Sequence, residues 1–258
     1  MSGIYEAELA FAVDAAERAG RAILRHYQGD LRAEAKLDGS PVTVADREGE
    51  HLLRELIEAR WPADGILGEE HGALRPDARR RWVLDPIDGT STFVRGVPLF
   101  GVLMALVDEG APVVGVVHLP ALSETVSAAR GLGCWWNGRR ARVSTIDRLD
   151  RALVLTTSVE LDEAHGRGEG WHRLRARARM ARTWSDCYGY ALVATGRAEA
   201  MADPIMAPWD VAALVPVVEE AGGVFTDWDG RPGYPATSAV ATNAALAAEV
   251  RELLGAVP

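Results

Sequence analysis

The segment Trp82-Val83-Leu84-Asp85-Pro86-Ile87-Asp88-Gly89-Thr90 decides how the rest of the chain reads. Arg81 to Leu84 has strand character and ends on an acid, Asp85. Asp85 and Asp88 then bracket a turn. A carboxylate pair at i,i+3, with the Ile87 carbonyl between, offers the hard oxygen donors that Mg2+ takes, usually beside a substrate phosphate. Gly89 lets the backbone come close to a ligand. If Thr90 opens a helix, its amide and that of Gly89 point toward an anion.

Two more acidic positions have the same kind of placement, at the end of a strand or the start of a helix. Glu69 and Glu70 follow the Gly65–Leu67 strand and Gly68. Asp210 opens a helix, Trp209 to Ala221, that Gly222-Gly223 stops. Taken singly, each has an ordinary explanation. An Asp-Gly-Thr is usually a turn, a Glu-Glu a solvated pair, and Asp210 a dipole-complementing acid at a helix start. Their order and spacing together argue for one site.

Outward from these acids, Thr43-Val44-Ala45-Asp46 reads as a capping box opening a helix to about Arg60, with Leu52, Leu53, Leu56 and Ile57 facing the core. Tyr5 to Tyr27 is apolar at helical spacing, through Leu9, Val13, Ala16, Ile23 and Leu24. Leu99–Val107 and Pro112–Leu119 form a hairpin through Asp108-Glu109-Gly110. Leu153–Thr157 is a strand, Cys187–Gly196 a buried helix, Val224–Asp227 a strand and Asn243–Leu254 the last helix. The stretch from Thr156 to Gly170 yields no interpretation. Helices and strands come in blocks rather than in strict βαβ alternation, which predicts a layered α+β architecture.

The chain has 258 residues, enough to bury a large core as one domain or as two subdomains sharing a cleft. A net charge of −9 argues against nucleic acid as a partner. It also means that cations must bridge the protein to any phosphate ester. The run Arg173–Arg182 reads as a solvated face or a subunit contact. Lys36 is the single lysine. No stretch approaches the roughly 20 apolar residues of a membrane span. Met1–Gly20 is interrupted by charged residues, unlike a secretory leader. Cys134 and Cys187 lie outside any CxxC, so neither a disulfide framework nor a zinc site is indicated. The expectation is a cytoplasmic protein with no membrane and no nucleic-acid partner.

Gly68-Glu69-Glu70, Trp82 to Thr90 with Phe93, and Trp209-Asp210 with Glu220-Ala221-Gly222-Gly223 resemble the three signatures of the inositol monophosphatase superfamily. The resemblance covers nearly the whole chain. It implies a single domain, an αβαβα layered sandwich, with an N-terminal subdomain of about 1–145 and a C-terminal one of about 150–258. It also implies a homodimer, Mg2+ dependence and inhibition by Li+. Two or three Mg2+ ions are expected, with Mn2+ substituting and Ca2+ inhibiting because it prefers a larger, looser shell. Carried over residue by residue, Glu69, Asp85, Asp88, Asp210 and the Ile87 carbonyl would be metal ligands. Thr90 with Glu70 would position the attacking water, supported by Asp46 and Thr43, and the Gly89 and Thr90 amides would hold the phosphate.

No His or Cys sits beside the acidic turn as a nucleophile, which points to metal-activated water attack on a small phosphorylated metabolite. His71, after Glu70, reads as a surface residue or a supporting one. Trp184 to Tyr190, Ala202-Asp203-Pro204 and Phe93 to Phe100 look like the branch of the family that hydrolyses histidinol phosphate. Asp186 and Asp203 would face the leaving group, where two carboxylates suit an ammonium and an imidazole. Asp186 could instead cap the following helix, and Asp203 could be a turn acid before Pro204. Ser91 departs from the lysine that many members of the branch carry there. The alternatives are an inositol-1-phosphate or broad-specificity sugar-alcohol phosphatase and, from another class, a non-catalytic regulatory binding module.

Overall fold

The computed structural model describes residues 4–29, 34–35 and 41–255; Lys36 lies outside them. In chain order, α1 (Glu6–Leu24) is followed by a two-stranded ribbon of β1 (Glu34–Ala35) and β2 (Pro41–Val42), then by α2 (Val44–Arg60). An eight-stranded sheet follows, built from β3 (Gly65–Gly68), β4 (Gly72–Leu74), β5 (Arg80–Asp88), β6 (Gly101–Asp108), β7 (Ala111–Leu119), β8 (Glu124–Ala129), β9 (Gly133–Trp136) and β10 (Arg139–Arg140). The short α3 (Thr90–Val94) interrupts it after β5. The second half holds β11 (Leu153–Leu155), α4 (Val159–Ala164), α5 (Gly168–Arg177), β12 (Met180–Arg182), α6 (Asp186–Ala194), β13 (Ala200–Asp203), α7 (Pro208–Glu220), β14 (Gly223–Thr226), β15 (Ala239–Asn243) and α8 (Ala247–Leu254).

The large sheet has the order β10-β9-β8-β7-β6-β5-β3-β4 and the small one β12-β11-β13-β15-β14. Helices α1 and α2 contact β5 to β8, α7 lies against both sheets, and α6 bridges them alongside it. Helix α8 contacts β15 and pairs with α5. The stack is therefore α, β, α, β, α, the layering the sequence resemblance implies. Its central layer explains why α6 and α7 are apolar around most of their circumference: Tyr190–Ala194 and Val211–Val218 are buried between two sheets. One core cluster joins Val83 and Leu103 of the large sheet, Leu214 and Val218 of α7, and Phe225 and Ala241 of the small sheet. Among the described residues no helix is long and apolar enough to cross a membrane.

Several expectations are refined. The Thr43 capping box is present, and α2 ends at Arg60, but only Leu53 and Ile57 of its four leucine and isoleucine positions are fully buried. Helix α1 stops at Leu24, and its buried stripe is Ala12, Ala15, Ala16, Ala19 and Ile23. The small alanine side chains allow close approach to the sheet. The last helix begins at Ala247; Asn243 instead closes β15, where its amide donates to the Ser144 hydroxyl and the Ile146 carbonyl. The uninterpreted 156–170 stretch contains α4 and the start of α5, and the arginine run divides between α5 and β12.

The refinement that matters most lies in β5. Asp85 and Asp88 do not bracket a turn but end a strand, and the turn starts at Gly89. Side chains three residues apart on a regular strand point to opposite faces. Here Asp85 pairs with Leu103 while Asp88 pairs with Gly101, so three residue steps on β5 match two on β6. That extra residue is a β-bulge, and it returns Asp88 to the side of Asp85. Pro86 falls inside the irregularity, where its missing N–H costs the ladder nothing.

Candidate active site

Three chain segments meet where β5 ends. Carboxylate oxygens of Asp85, Asp88 and Asp210 all lie within 4.8 Å of one another. Asp85 accepts from the Ile87 amide at 2.9 Å, within the bulge. Asp88 accepts from the Cys187 amide at 2.5 Å, which ties β5 to the start of α6 across the two halves of the chain. Asp210, at the third position of α7, reaches back to the Ala207 amide at 2.7 Å, the acidic half of a capping box. Glu69 is held by its own amide, which donates to the Leu84 carbonyl at 3.2 Å.

Thr43, Asp46 and Thr90 form a linked set of hydrogen bonds ending at the Ile87 carbonyl. Thr43 donates to Asp46 from its amide at 2.8 Å and from its hydroxyl at 2.6 Å. The Thr90 hydroxyl sits 2.9 Å from the Ile87 carbonyl and 3.4 Å from the other Asp46 oxygen. Gly89, the N-cap of α3, has φ +83°, a conformation that costs glycine nothing and most residues about 1–2 kcal/mol. A Cβ there would also come within 3.0 Å of both the Asp186 carboxylate and the Thr92 hydroxyl.

Beyond the acids lies a cavity of about 120 Å³, lined on its polar side by Asp88, Asp186, Asp203 and Asp210. Ser185, not Asp186, is the N-cap of α6. Asp186 stands at the first helical position with φ +55°, a left-handed conformation that Asp tolerates better than most residues. Its carboxylate accepts from the Thr92 hydroxyl at 3.3 Å. Asp203 is nearly fully buried and more firmly engaged: one oxygen accepts from the Thr157 amide and the other from the Tyr190 hydroxyl, each at 2.9 Å. Thr157 also accepts from the Asp186 amide, at 3.0 Å through its hydroxyl. One residue of the uninterpreted stretch thus clamps both acids of the leaving-group side.

The electrostatics have one sign. Burial, then Glu69, Asp88 and Asp210, push the Asp85 carboxyl well above the ordinary carboxylate range. Burial, then Asp186 and Asp210, do the same to Asp88. Burial raises Asp210 to about 7 and Asp203 to about 6, and it raises Asp46 and Asp186 as well. Among the described residues no basic side chain lines the cavity. Cys187 does line it, but burial and then Asp88 push its thiol well above the usual value, so it stays protonated and a poor nucleophile. Crowded, oxygen-only donors held in place by backbone amides fit a hard divalent cation, which would relieve the repulsion that raises these groups.

Glu50 is the residue that sequence reasoning missed. Its fully buried carboxylate accepts from the Glu70 amide at 2.6 Å and from the His71 amide at 3.2 Å, beneath the turn that carries Glu69. The available signal was an acid four residues after Asp46, on the same face of α2. His71 itself is partly exposed beside Glu50.

The family model for the inositol monophosphatase family matches residues 5–256. A histidinol-phosphatase of Chlorobaculum parvum is 44% identical over 225 residues, 87% of each chain. A histidinol-phosphatase of Mycobacterium tuberculosis is 42% identical over 232 residues, covering 88% of this chain and 89% of that one. Among solved structures, an inositol monophosphatase from Zymomonas mobilis superposes with a TM-score of 0.88 at 36% identity, covering 98% of this chain and 99% of its own.

Proposed function

Because the chain belongs to the inositol monophosphatase family, we propose that it is a metal-dependent phosphomonoesterase whose substrate is histidinol phosphate. The observation that carries the reading is the convergence of Asp85, Asp88 and Asp210 within 4.8 Å, in a cavity with no basic side chain among its described lining residues. Asp85, Asp88, Asp210, Glu69 and the Ile87 carbonyl would hold two or three Mg2+ ions. Mn2+ is expected to substitute and Li+ and Ca2+ to inhibit. Bound Mg2+ supplies Lewis-acid activation of water and stabilises charge on the departing oxygen.

The chain's own groups perform the remaining work. When the Thr90 hydroxyl donates to the Ile87 carbonyl or to Asp46, its oxygen keeps lone pairs that could accept from a water. Asp46, fixed by two bonds from Thr43, holds that orientation, and Glu70 would orient the same water. The Gly89 and Thr90 amides would cradle a phosphate oxygen. The bulge in β5 supports this arrangement by keeping both aspartates on the phosphate side.

On the leaving-group side, Asp186 would meet the ammonium of histidinol. Asp203 would act mainly by fixing Tyr190 and Thr157, because its oxygens already hold bonds within the protein. Inositol 1-phosphate is the second reading, favoured by the 36% identity to the Zymomonas enzyme across nearly the whole fold. A cytoplasmic homodimer is part of the proposal, and light scattering would test its oligomeric state. The test of function is phosphate release from histidinol phosphate, inositol 1-phosphate, fructose 1,6-bisphosphate and adenosine 3′,5′-bisphosphate, with and without EDTA. The highest kcat/KM should fall on histidinol phosphate and vanish with EDTA. Preference for inositol 1-phosphate would overturn the substrate, and full activity after metal removal would overturn the class.

A further inference from the structure

Thr43, Asp46, Glu50 and Arg54 follow one another at three- and four-residue spacing, a single stripe along α2. Asp46 and Glu50 on that stripe are both fully buried. Asp46 reaches Thr90, on the arm that follows β5. Glu50 reaches the other arm, the turn between β3 and β4. Its carboxylate accepts from the Glu70 and His71 amides and from Arg54 Nε at 2.6 Å, and Arg54 in turn donates to the Gly72 carbonyl at the far side of the turn. Gly68 makes room for this contact, since a Cβ there would overlap the Glu50 carboxylate.

We propose that Glu50 is a positioning residue that holds the Glu69–Glu70 turn in metal-binding register. The need for such a brace follows from geometry. The turn is tied to β5 on one side, where the Glu69 amide donates to the Leu84 carbonyl, and Glu50 ties its other side to α2 through the Glu70 and His71 amides. Without the tie to α2 the turn would be free to shift, and metal binding would have to supply the free energy of bringing it back. Glu50 anchors the backbone of the turn, through the Glu70 and His71 amides, rather than the Glu69 side chain. One rigid helix then sets the separation of both arms of the site.

The inference rests on the metal reading and is tested on the metal-stripped full chain by Mn2+ binding, read from the electron paramagnetic resonance of the free ion. Glu50→Gln keeps the size and one acceptor but loses the second. Removing a group that orients metal ligands typically weakens affinity about 10–100-fold, and that is the expected effect. The Mg2+ concentration for half-maximal activity should rise by the same factor, with kcat at saturating Mg2+ largely kept. Gly68→Ala, which displaces the same carboxylate without removing a buried charge, should weaken Mn2+ binding in the same direction. Glu220→Gln serves as the structural control, because Glu220 braces the Gly131 and Gly133 amides at 2.8 Å each by the same chemistry in the turn between β8 and β9. It should lower the melting temperature while leaving Mn2+ affinity unchanged. If wild type binds Mn2+ and both site variants match it, or if Glu220→Gln loses affinity equally, the positioning role is overturned. A wild type that binds no Mn2+ overturns the metal reading and this inference together.

Discussion

Replacing Asp186 with asparagine removes one negative charge from the cavity while keeping the side chain's size and its ability to accept from Thr92. In the structure that carboxylate has two consequences that pull apart when the charge is removed. It faces the cavity beside Asp88 and Asp203, where an ammonium of the leaving group would lie. It also adds to the repulsion that raises Asp88 and Asp210. A hydrogen bond to a charged partner contributes roughly 1.5–3 kcal/mol, so losing it should cost about ten- to a hundredfold in kcat/KM for histidinol phosphate. A neutral polyol phosphate brings no cation to that carboxylate, and its hydroxyls can donate to asparagine as well as to aspartate, so its kcat/KM should fall much less at saturating Mg2+. Relief of the like charge should also lower the Mg2+ concentration that half-activates the enzyme, for either substrate. The assay is phosphate release on histidinol phosphate and inositol 1-phosphate across a Mg2+ titration. Asp203→Asn gives the contrast: its oxygens are committed to Thr157 and Tyr190, so both substrates should suffer together. An equal loss on both substrates in Asp186→Asn, with no change in Mg2+ requirement, would refute the reasoning.

Asp88→Asn should lower turnover by on the order of 10³-fold or more, since it removes several kcal/mol of charge stabilisation at the reacting centre. Its metal-free melting temperature should not fall, because asparagine can still accept from Cys187 and the cluster loses a like charge. Thr90→Ala should lower kcat more than it raises KM. Its stability cost should be about 1 kcal/mol, near 2–4 °C by calorimetry; a large melting shift with kcat kept would mean a purely structural role. The metal-free protein should also lose stability as pH rises. Burial raises Asp210 to about 7 in the folded protein against about 4 when unfolded, so the folded form retains a proton across that window and the gain disappears as pH passes 7. Thermal melts in EDTA at pH 5.0 and 7.5 should show this fall, flattened in Asp210→Asn. The Mg2+-induced rise in melting temperature should be larger at pH 7.5, because metal competes with those protons. A Mg2+ increment independent of pH would contradict it.

Much of the site was legible because its parts are local. The Thr43–Asp46 box spans three residues and is dictated by the unpaired amides of a helix start. Asp210 is set by the same rule at α7, and the hairpin at Asp108–Gly110 by its turn chemistry, with Glu109 at φ +51° and Gly110 at +82°. Residue type and short spacing are enough where the physical cause lies within one turn of chain. The burial of α6 was legible for a similar reason: a helix apolar all round must be covered on every side.

What only the tertiary structure decided are relations between distant segments. That Asp85 and Asp88 share a face depends on a slip in pairing against Leu103 and Gly101, which the β5 sequence cannot state alone. Asp88 meets the Cys187 amide across 99 positions, and Glu50 meets the Glu70 amide across 20. Asp186 and Asp203 looked alike in sequence, but Tyr190 and Thr157 hold both oxygens of Asp203, while Asp186 bends into the cavity in a left-handed conformation. Local propensity fixes which groups a segment carries. Which of those groups spend their hydrogen bonds on the fold, and which keep them for a ligand, is settled only when burial has removed water as the alternative partner.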